Sequence, residues 1–264
     1  MNRLTVQNLS FRYPGGQPLL EDISFSAGEG ELISLIGQNG AGKTTLLKCL
    51  MGLLPGKGEV LLDGEPVNRF SPGRRAEKIA YIPQNHGISF TYTAFEVVLM
   101  GATPTLPWYR SPGKAESRRA EEAMETLGIL PLGDRDFDTL SGGEQQLCMM
   151  ARTMMTDAKV WLLDEPAANL DYGNTLRMME RLSTLARKGY CILQSIHDPE
   201  IAVLFSTRLL ALQDGKLAAD GGPEVLDEGL MERLYGVKVR RREILEPDGR
   251  FPVFLPGRPQ ADTD

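Results

Sequence analysis

Histidine, cysteine and tryptophan are scarce in this chain: two, three and two residues among 264. Two histidines, His86 and His197, do not make a histidine-rich metal site. Cys49, Cys148 and Cys191 lie far apart and never form a Cys-x-x-Cys pair. That spacing argues against a zinc ribbon or a redox couple, and three buried free thiols in a reducing compartment are expected. No apolar run approaches the ~18 residues that a membrane-spanning helix needs. The first residues, Met1 to Thr5, lack the apolar stretch of a signal peptide. Positive charge is not in surplus either. With 29 basic and 35 acidic residues the formal net charge is −6, so there is no basic footprint for nucleic acid. Repeats, low-complexity runs and long linkers are absent too. What remains, 42% hydrophobic and 24% charged residues, is the composition of an ordinary soluble globular protein. The length suits one large α/β domain with an inserted subdomain.

The most informative stretch is Gly37-Gln38-Asn39-Gly40-Ala41-Gly42-Lys43-Thr44-Thr45. The apolar segment Leu32 to Ile36 ahead of it reads as a buried parallel strand, and Thr45 to Met51 behind it as a helix. A strand, a glycine-rich turn and Gly-Lys-Thr at a helix start form the context in which a P-loop is credible. Backbone N–H groups of such a turn cradle phosphate oxygens, helped by the helix N-terminus. Lys43 has the reach for the β- and γ-phosphates, and the Thr44 hydroxyl for a magnesium ion. The chain is therefore expected to bind a nucleoside triphosphate.

Upstream, residues 3–13 alternate as a half-buried strand whose period breaks between Val6 and Leu9, which predicts a bulge or a register change. Ile23, Phe25 and Ala27 return the chain as a second strand, so an antiparallel edge precedes the P-loop. Tyr13 beside the intervening turn suits either cross-strand packing or stacking on a base. Downstream, residues 58–64 read as a strand into an Asp-Gly turn, Ser71-Pro72 opens a short helix, and residues 78–82 form a strand ending near Gln84. From Asn85 to about Asp157 the pattern turns helical. Thr93 to Glu96 fits a capping box, with a stop at Gly101. A loop surrounds Trp108-Tyr109, a charged helix runs from Lys114 to Leu127, and Ser141-Gly142-Gly143-Glu144 fits a second capping box. That last segment is either a plain helix start or a second phosphate-binding N-terminus. Val160 to Glu165 is an apolar strand ending in two carboxylates. Asp164 suits a magnesium ion or its water, and Glu165 suits polarising an attacking water. Asn174 to Arg187 is an amphipathic helix with Met178, Met179, Leu182 and Leu185 on one face. Tyr190 to Ile196 is a strand delivering His197 to the end where ligands sit in open α/β sheets. Asp214-Gly215 marks a hairpin, one or two short helices follow Pro223, and the tail from Val237 alternates weakly toward a frayed end.

Assembled in this order, the motifs resemble those of the ATP-binding cassette (ABC) ATPases over nearly the whole chain. Residues 37–45 match that family's Walker A, 140–146 its signature segment and 160–165 its Walker B. Ala168-Asn169-Leu170-Asp171 is similar to its D-loop, Gln84 to its Q-loop glutamine, His197 to its switch histidine and Tyr13 to its adenine-stacking aromatic. Ala167, where threonine is common, and the bulky Trp161 are small departures that remove no catalytic group. The fold so implied is a P-loop NTPase core with an antiparallel β edge and an inserted α-helical subdomain. Its expected divisions are 1–84, 85–157, 158–235 and a C-terminal tail, 236–264. Implied catalytic residues are Lys43, Gln84, Glu165 and His197. Implied nucleotide contacts are Tyr13, Gly37, Asn39, Gly40, Ala41, Gly42, Lys43, Thr44, Thr45, Ser141, Gly142, Gly143 and Asp171, with Thr44, Gln84 and Asp164 for magnesium.

The resemblance also implies a head-to-tail pair of copies that sandwiches ATP between one chain's Walker A and the other's signature serine, and an active ATPase. Residues 90–104, 171–174 and 234–237 look most similar to an importer branch for iron-siderophores, haem, cobalamin and, in some members, molybdate. The partners would then be a second copy, integral membrane permease subunits and, indirectly, a substrate-binding protein, with no nucleic acid. The location would be the cytoplasmic face of the inner or plasma membrane, peripheral through the permease. Phe90, Tyr92, Phe95 and Val98 would provide the docking surface, unless they are core of the helical subdomain. A DNA-repair type of ABC protein would need a long coiled coil in the interval of about 100 residues between Walker A and signature, which shows no sustained heptads. A translation-associated type normally has two cassettes in one chain. The alternative left standing is a soluble ABC subunit for iron–sulfur cluster assembly.

Overall fold

The computed structural model describes residues 2–84, 92–107, 109–168, 170–246 and 249–257. In chain order the first elements are β1 (Asn2–Arg12), β2 (Pro18–Gly28), β3 (Leu32–Ile36), α1 (Lys43–Leu50), β4 (Lys57–Leu62), β5 (Glu65–Pro66), α2 (Pro72–Lys78) and β6 (Ile79–Ile82). A helical stretch follows with α3 (Ala94–Leu99), α4 (Lys114–Thr126) and α5 (Gly142–Met154). The chain then returns through β7 (Val160–Leu163), α6 (Tyr172–Arg187), β8 (Cys191–Ser195), α7 (Pro199–Phe205), β9 (Arg208–Gln213) and β10 (Lys216–Gly221). Last come α8 (Glu228–Tyr235), β11 (Val239–Glu246) and β12 (Gly249–Pro256). No helix among the described residues is long and apolar enough to cross a membrane.

The central sheet has the order β10-β9-β3-β8-β7-β6 and is parallel from β9 to β6. Only β10 runs antiparallel, as the return arm of the Asp214-Gly215 hairpin. Its inner strands are buried on both faces, which is why they read as continuous apolar runs rather than alternating ones. In β3, Leu32 and Ile36 face one core while Ile33 and Leu35 face another. In β7, Trp161 and Leu163 take the first side, Val160 and Leu162 the second. Period-two geometry sorts adjacent apolar residues into two cores. One core is closed by α1 and by the antiparallel sheet β2-β1-β4-β5; the other by α6, α7 and the helical layer. In β1 the register against β2 slips between Val6 and Leu9, where Asn8 takes a φ of 50°.

Several helices begin where side-chain caps direct. Thr93 and Ser141 both form full capping boxes, with Glu96 and Glu144 reaching back to the cap amide. Asp171 caps α6 by accepting from the Asn174 amide, so that helix begins two residues earlier than its apolar face suggests. Met178, Met179, Leu182 and Leu185 are buried on it.

Two local expectations are corrected. The α-helix does end beside Gly101, at Leu99 with Met100 as its cap, but the chain continues as a 3-10 helix over Met100–Thr105. A Cβ on Gly101 would stand 2.1 Å from the Arg152 carbonyl oxygen, so glycine is there to let the turn approach α5. The weak alternation after Val237 is an antiparallel hairpin, Val239 opposite Pro256 through to Glu246 opposite Gly249. Phe254 is buried, and its amide donates to Glu200 Oε1 at 3.1 Å, fastening the hairpin to α7. His86, Phe90, Thr91, Trp108, Asn169 and the expected frayed end, 258–264, lie outside the described residues.

Candidate functional site

Because β3, β8 and β7 are parallel neighbours, their C-terminal ends lie along one edge of the sheet. The chain leaves β3 at Gly37, leaves β7 at Asp164-Glu165 and leaves β8 toward His197. Strand direction alone therefore brings together residues more than a hundred positions apart, in the crevice where open α/β sheets hold ligands. The result is a cleft of about 430 Å³ lined by Leu19, Asn39, Gly40, Gly42, Lys43, Thr44, Thr45, Glu165 and His197.

The loop needs its glycines. Gly37, Gly40 and Gly42 all have positive φ, at 149°, 82° and 103°. A Cβ on Gly37 would come within 2.3 Å of the Leu212 carbonyl oxygen on β9, so no side chain fits there. Lys43 is almost wholly buried, and its Nζ donates to the carbonyls of Gly37 at 2.8 Å and Gln38 at 3.1 Å. Burial pulls its pKa down, and the carboxylates of Glu165 and Asp164 act against that shift.

Asp164 is held from three sides. Oδ1 accepts from Thr44 Oγ1 at 3.0 Å and Ser195 Oγ at 2.9 Å, and Oδ2 accepts from the Tyr81 hydroxyl at 3.1 Å. The same Ser195 oxygen accepts the Glu165 amide at 2.8 Å. Glu165 has a φ of 49°, a left-handed conformation that costs a non-glycine residue about 1–2 kcal/mol. The Ser195 bond helps hold that turn, which aims the Glu165 carboxylate back over the cleft. There it meets Gln84 Nε2 at 2.8 Å and His197 Nε2 at 2.5 Å.

Tyr13 stands edge-on to Phe11, at 4.9 Å between ring centres, and its hydroxyl lies 3.3 Å from Thr45 Oγ1. It is 45% exposed, so it packs and presents a ring face at once. Ala41 turns to an adjoining pocket behind the loop, among Pro18, Leu19, Leu212 and Gly215. Ser141, Gly142, Gly143 and Asp171 do not line the cleft. Ser141 and Gly142 are exposed at the start of α5, while Gly143 is buried where a Cβ would meet Asn174 Cγ at 3.2 Å. Asn174 in turn donates to Asp171 Oδ2, so the signature segment and the start of α6 form one surface away from the cleft.

A second concavity, about 650 Å³, separates the core from the helical layer. Its walls include Met51, Ile79, Tyr81, Met100, Pro104 and Met149, with Arg75 and Arg152 as the charged lining residues among those described. Arg75 donates to the carbonyls of Met51, Gly52 and Phe70. Arg152 has no hydrogen-bond or ion-pair partner among the described residues, and burial pulls its pKa down. The expected docking residues lie elsewhere. Val98 is fully buried and Tyr92 and Phe95 are packed against the helical core, so these three are core before they are surface.

Ser195 and Tyr81 were not singled out by the sequence. Both sit on strands where any buried residue fits the pattern, and only strand pairing shows that their hydroxyls converge on Asp164. Leu19, from β2, likewise lines the cleft without a motif of its own.

Comparison with known proteins agrees with this arrangement. The family model described as ABC transporter matches residues 20–168. The hemin import ATP-binding protein HmuV of Nocardia farcinica is 39% identical over 220 residues, spanning 82% of this chain and 75% of its own length. The ferric enterobactin transport ATP-binding protein FepC of Escherichia coli is 34% identical over 265 residues, spanning 99% and 97%. A solved chain from an inward-facing ABC transporter, described as of a metal-chelate type, superposes with a TM-score of 0.86 at 26% identity, covering 97% of this chain and 98% of that one. A phosphate-cradling loop, a pair of strand-end carboxylates and this likeness along the full chain lead to one assignment: the chain belongs to the ABC transporter family and is one of its ATP-binding subunits, an ATPase.

Proposed function

We propose that this subunit works as a head-to-tail pair and drives a separate membrane permease that imports a metal chelate, of the iron-siderophore, haem or cobalamin kind. The observation that carries the pairing is the position of Ser141 and Gly142: exposed, at a helix N-terminus, and outside the cleft that holds Lys43 and Glu165. A serine hydroxyl and free amides at a helix start suit the far side of a triphosphate, which a second copy would offer. The names of the relatives support import and metal-chelate cargo.

Within each site, Lys43 would pair with the β- and γ-phosphates and the loop amides with their oxygens. Tyr13 would stack on the base. Glu165 would take the proton of the attacking water, with His197 and Gln84 holding its two oxygens and meeting the γ-phosphate. Asp171 would reach across the pair. Magnesium fits this chemistry. Thr44 gives its proton to Asp164 and keeps oxygen lone pairs for a cation, and Gln84 has its amide oxygen left over. Among the described residues no three acidic, histidine or cysteine side chains cluster, so phosphate and water would complete a magnesium shell. Thr44, Gln84 and Asp164 would hold magnesium, whose charge would offset that of the phosphates.

The permease would dock in the concavity between the core and the helical layer. Its apolar walls and two arginines, with no carboxylate among the described lining residues, suit a short apolar segment carrying an acidic residue or presenting a helix C-terminus. Purification of the native complex from detergent-solubilised membranes tests the reading. Recovery of an integral membrane subunit with the chain is the expected result. A chain found only in the soluble fraction, with iron–sulfur assembly proteins, would overturn it.

A further inference from the structure

Tyr81 belongs to two places at once. Its ring is part of the wall of the concavity between core and helical layer, beside Ile79, Met149 and Arg152. Its hydroxyl donates to Oδ2 of Asp164 at 3.1 Å. That oxygen is the one not held by Thr44 or Ser195. The main chain repeats the link: β6 pairs in parallel with β7, and the Asp164 amide donates to the Ile82 carbonyl at 2.9 Å. A phenylalanine would fill the same wall without touching the carboxylate.

We propose that Tyr81 is a positioning residue for Asp164, which fixes the carboxylate's second oxygen and transmits displacement of the concavity wall to it through one side chain. The inference rests on the reading that Asp164 faces magnesium and that a partner segment occupies the concavity. The contact is distinct from that of Gln84, which meets Glu165. Groups that orient a metal-side ligand typically change metal affinity by about tenfold or more when removed.

The test uses the whole chain and a non-hydrolysable ATP analogue, with affinity measured by calorimetry in magnesium and in EDTA. The quantity read is the ratio of the two affinities. Tyr81→Phe is expected to lower that ratio by about tenfold and leave the EDTA affinity unchanged, which also serves as the folding control. Asp164→Asn separates the inference from the reading beneath it. If Asp164→Asn leaves the ratio intact, Asp164 does not face the metal and the site reading fails. If Asp164→Asn lowers the ratio and Tyr81→Phe does not, the positioning role is overturned. Ala76→Phe tests the wall, since Ala76 lines the same concavity. It is expected to change the ratio in the native chain and to add nothing in the Tyr81→Phe chain. No change in the native background, or equal changes in both, would overturn the transmission.

Discussion

The Glu165 carboxylate is shared between Gln84 and His197, which take different oxygens: Gln84 Nε2 meets Oε2 at 2.8 Å, and His197 Nε2 meets Oε1 at 2.5 Å. The two partners come from the ends of different strands, β6 and β8, so Glu165 registers the position of both. A group held this way is suited to a single direction of proton acceptance. Glu165→Gln keeps the shape and removes the base. ATP binding should persist, hydrolysis should fall by about 10²-fold or more, and an ATP-bound dimer should accumulate. Steady-state phosphate release with size-exclusion chromatography checks this, and wild-type turnover would remove Glu165 from the mechanism.

The placement of Ser141 away from the cleft predicts complementation between defective chains. Lys43→Ala and Ser141→Arg should each be inactive alone. In a mixed pair both defects fall in one composite site and the other site stays whole. Mixing differently tagged chains should therefore restore part of the phosphate release. In cis, every site in the mixture remains defective. A linked pair with both mutations on one half gives the reverse pattern: a defect in each site if they form in trans, one whole site if they form in cis.

The Arg152 side chain is a desolvated cation with no partner among the described residues, in a concavity whose described lining has no carboxylate. Removing a buried charge partner typically costs several kcal/mol, and here the partner would come from the membrane subunit. Arg152→Glu should abolish recovery of the permease in pull-down while ATP affinity of the isolated chain changes less than about threefold. Undiminished recovery would place the docking surface elsewhere.

The three thiols are buried, and burial pushes Cys49 to about 11 and Cys148 and Cys191 to about 12. A raised thiol pKa lowers the thiolate fraction, so at pH 8 almost no nucleophile is present. Iodoacetamide should leave the native chain unmodified at pH 8 and label all three positions after unfolding in guanidinium, as mass spectrometry would show. Rapid labelling of one thiol in the native state would contradict its burial.

Much of the site is local chemistry and was therefore legible in the sequence. The strand, glycine turn and Gly-Lys-Thr of residues 32–45 specify a phosphate cradle through backbone geometry alone. Ser141 and Thr93 announce their helices because a capping box is completed within four residues. The break after Val6 predicts its register shift because strand geometry repeats every two residues. The tail hairpin was less legible: β11 is mostly exposed, so no strong pattern marks it, and it is fixed by a return strand and by Glu200 on a distant helix.

The tertiary structure decided what depends on strand order. Nothing near Asp164 in sequence indicates that Ser195 and Tyr81 will hold it; the pairing of β7 with β8 and with β6 does. Nothing in the run from Tyr92 to Val98 separates surface from core, since an apolar residue reads alike on either side of a helix. Packing buried Val98 and left a concavity lined by Arg75 and Arg152. The sequence by itself determined which groups are available for phosphate chemistry, because each motif is closed by bonds between near neighbours. Only the tertiary structure decided which of them face one another, because parallel strands align their C-terminal ends regardless of the length of chain between them.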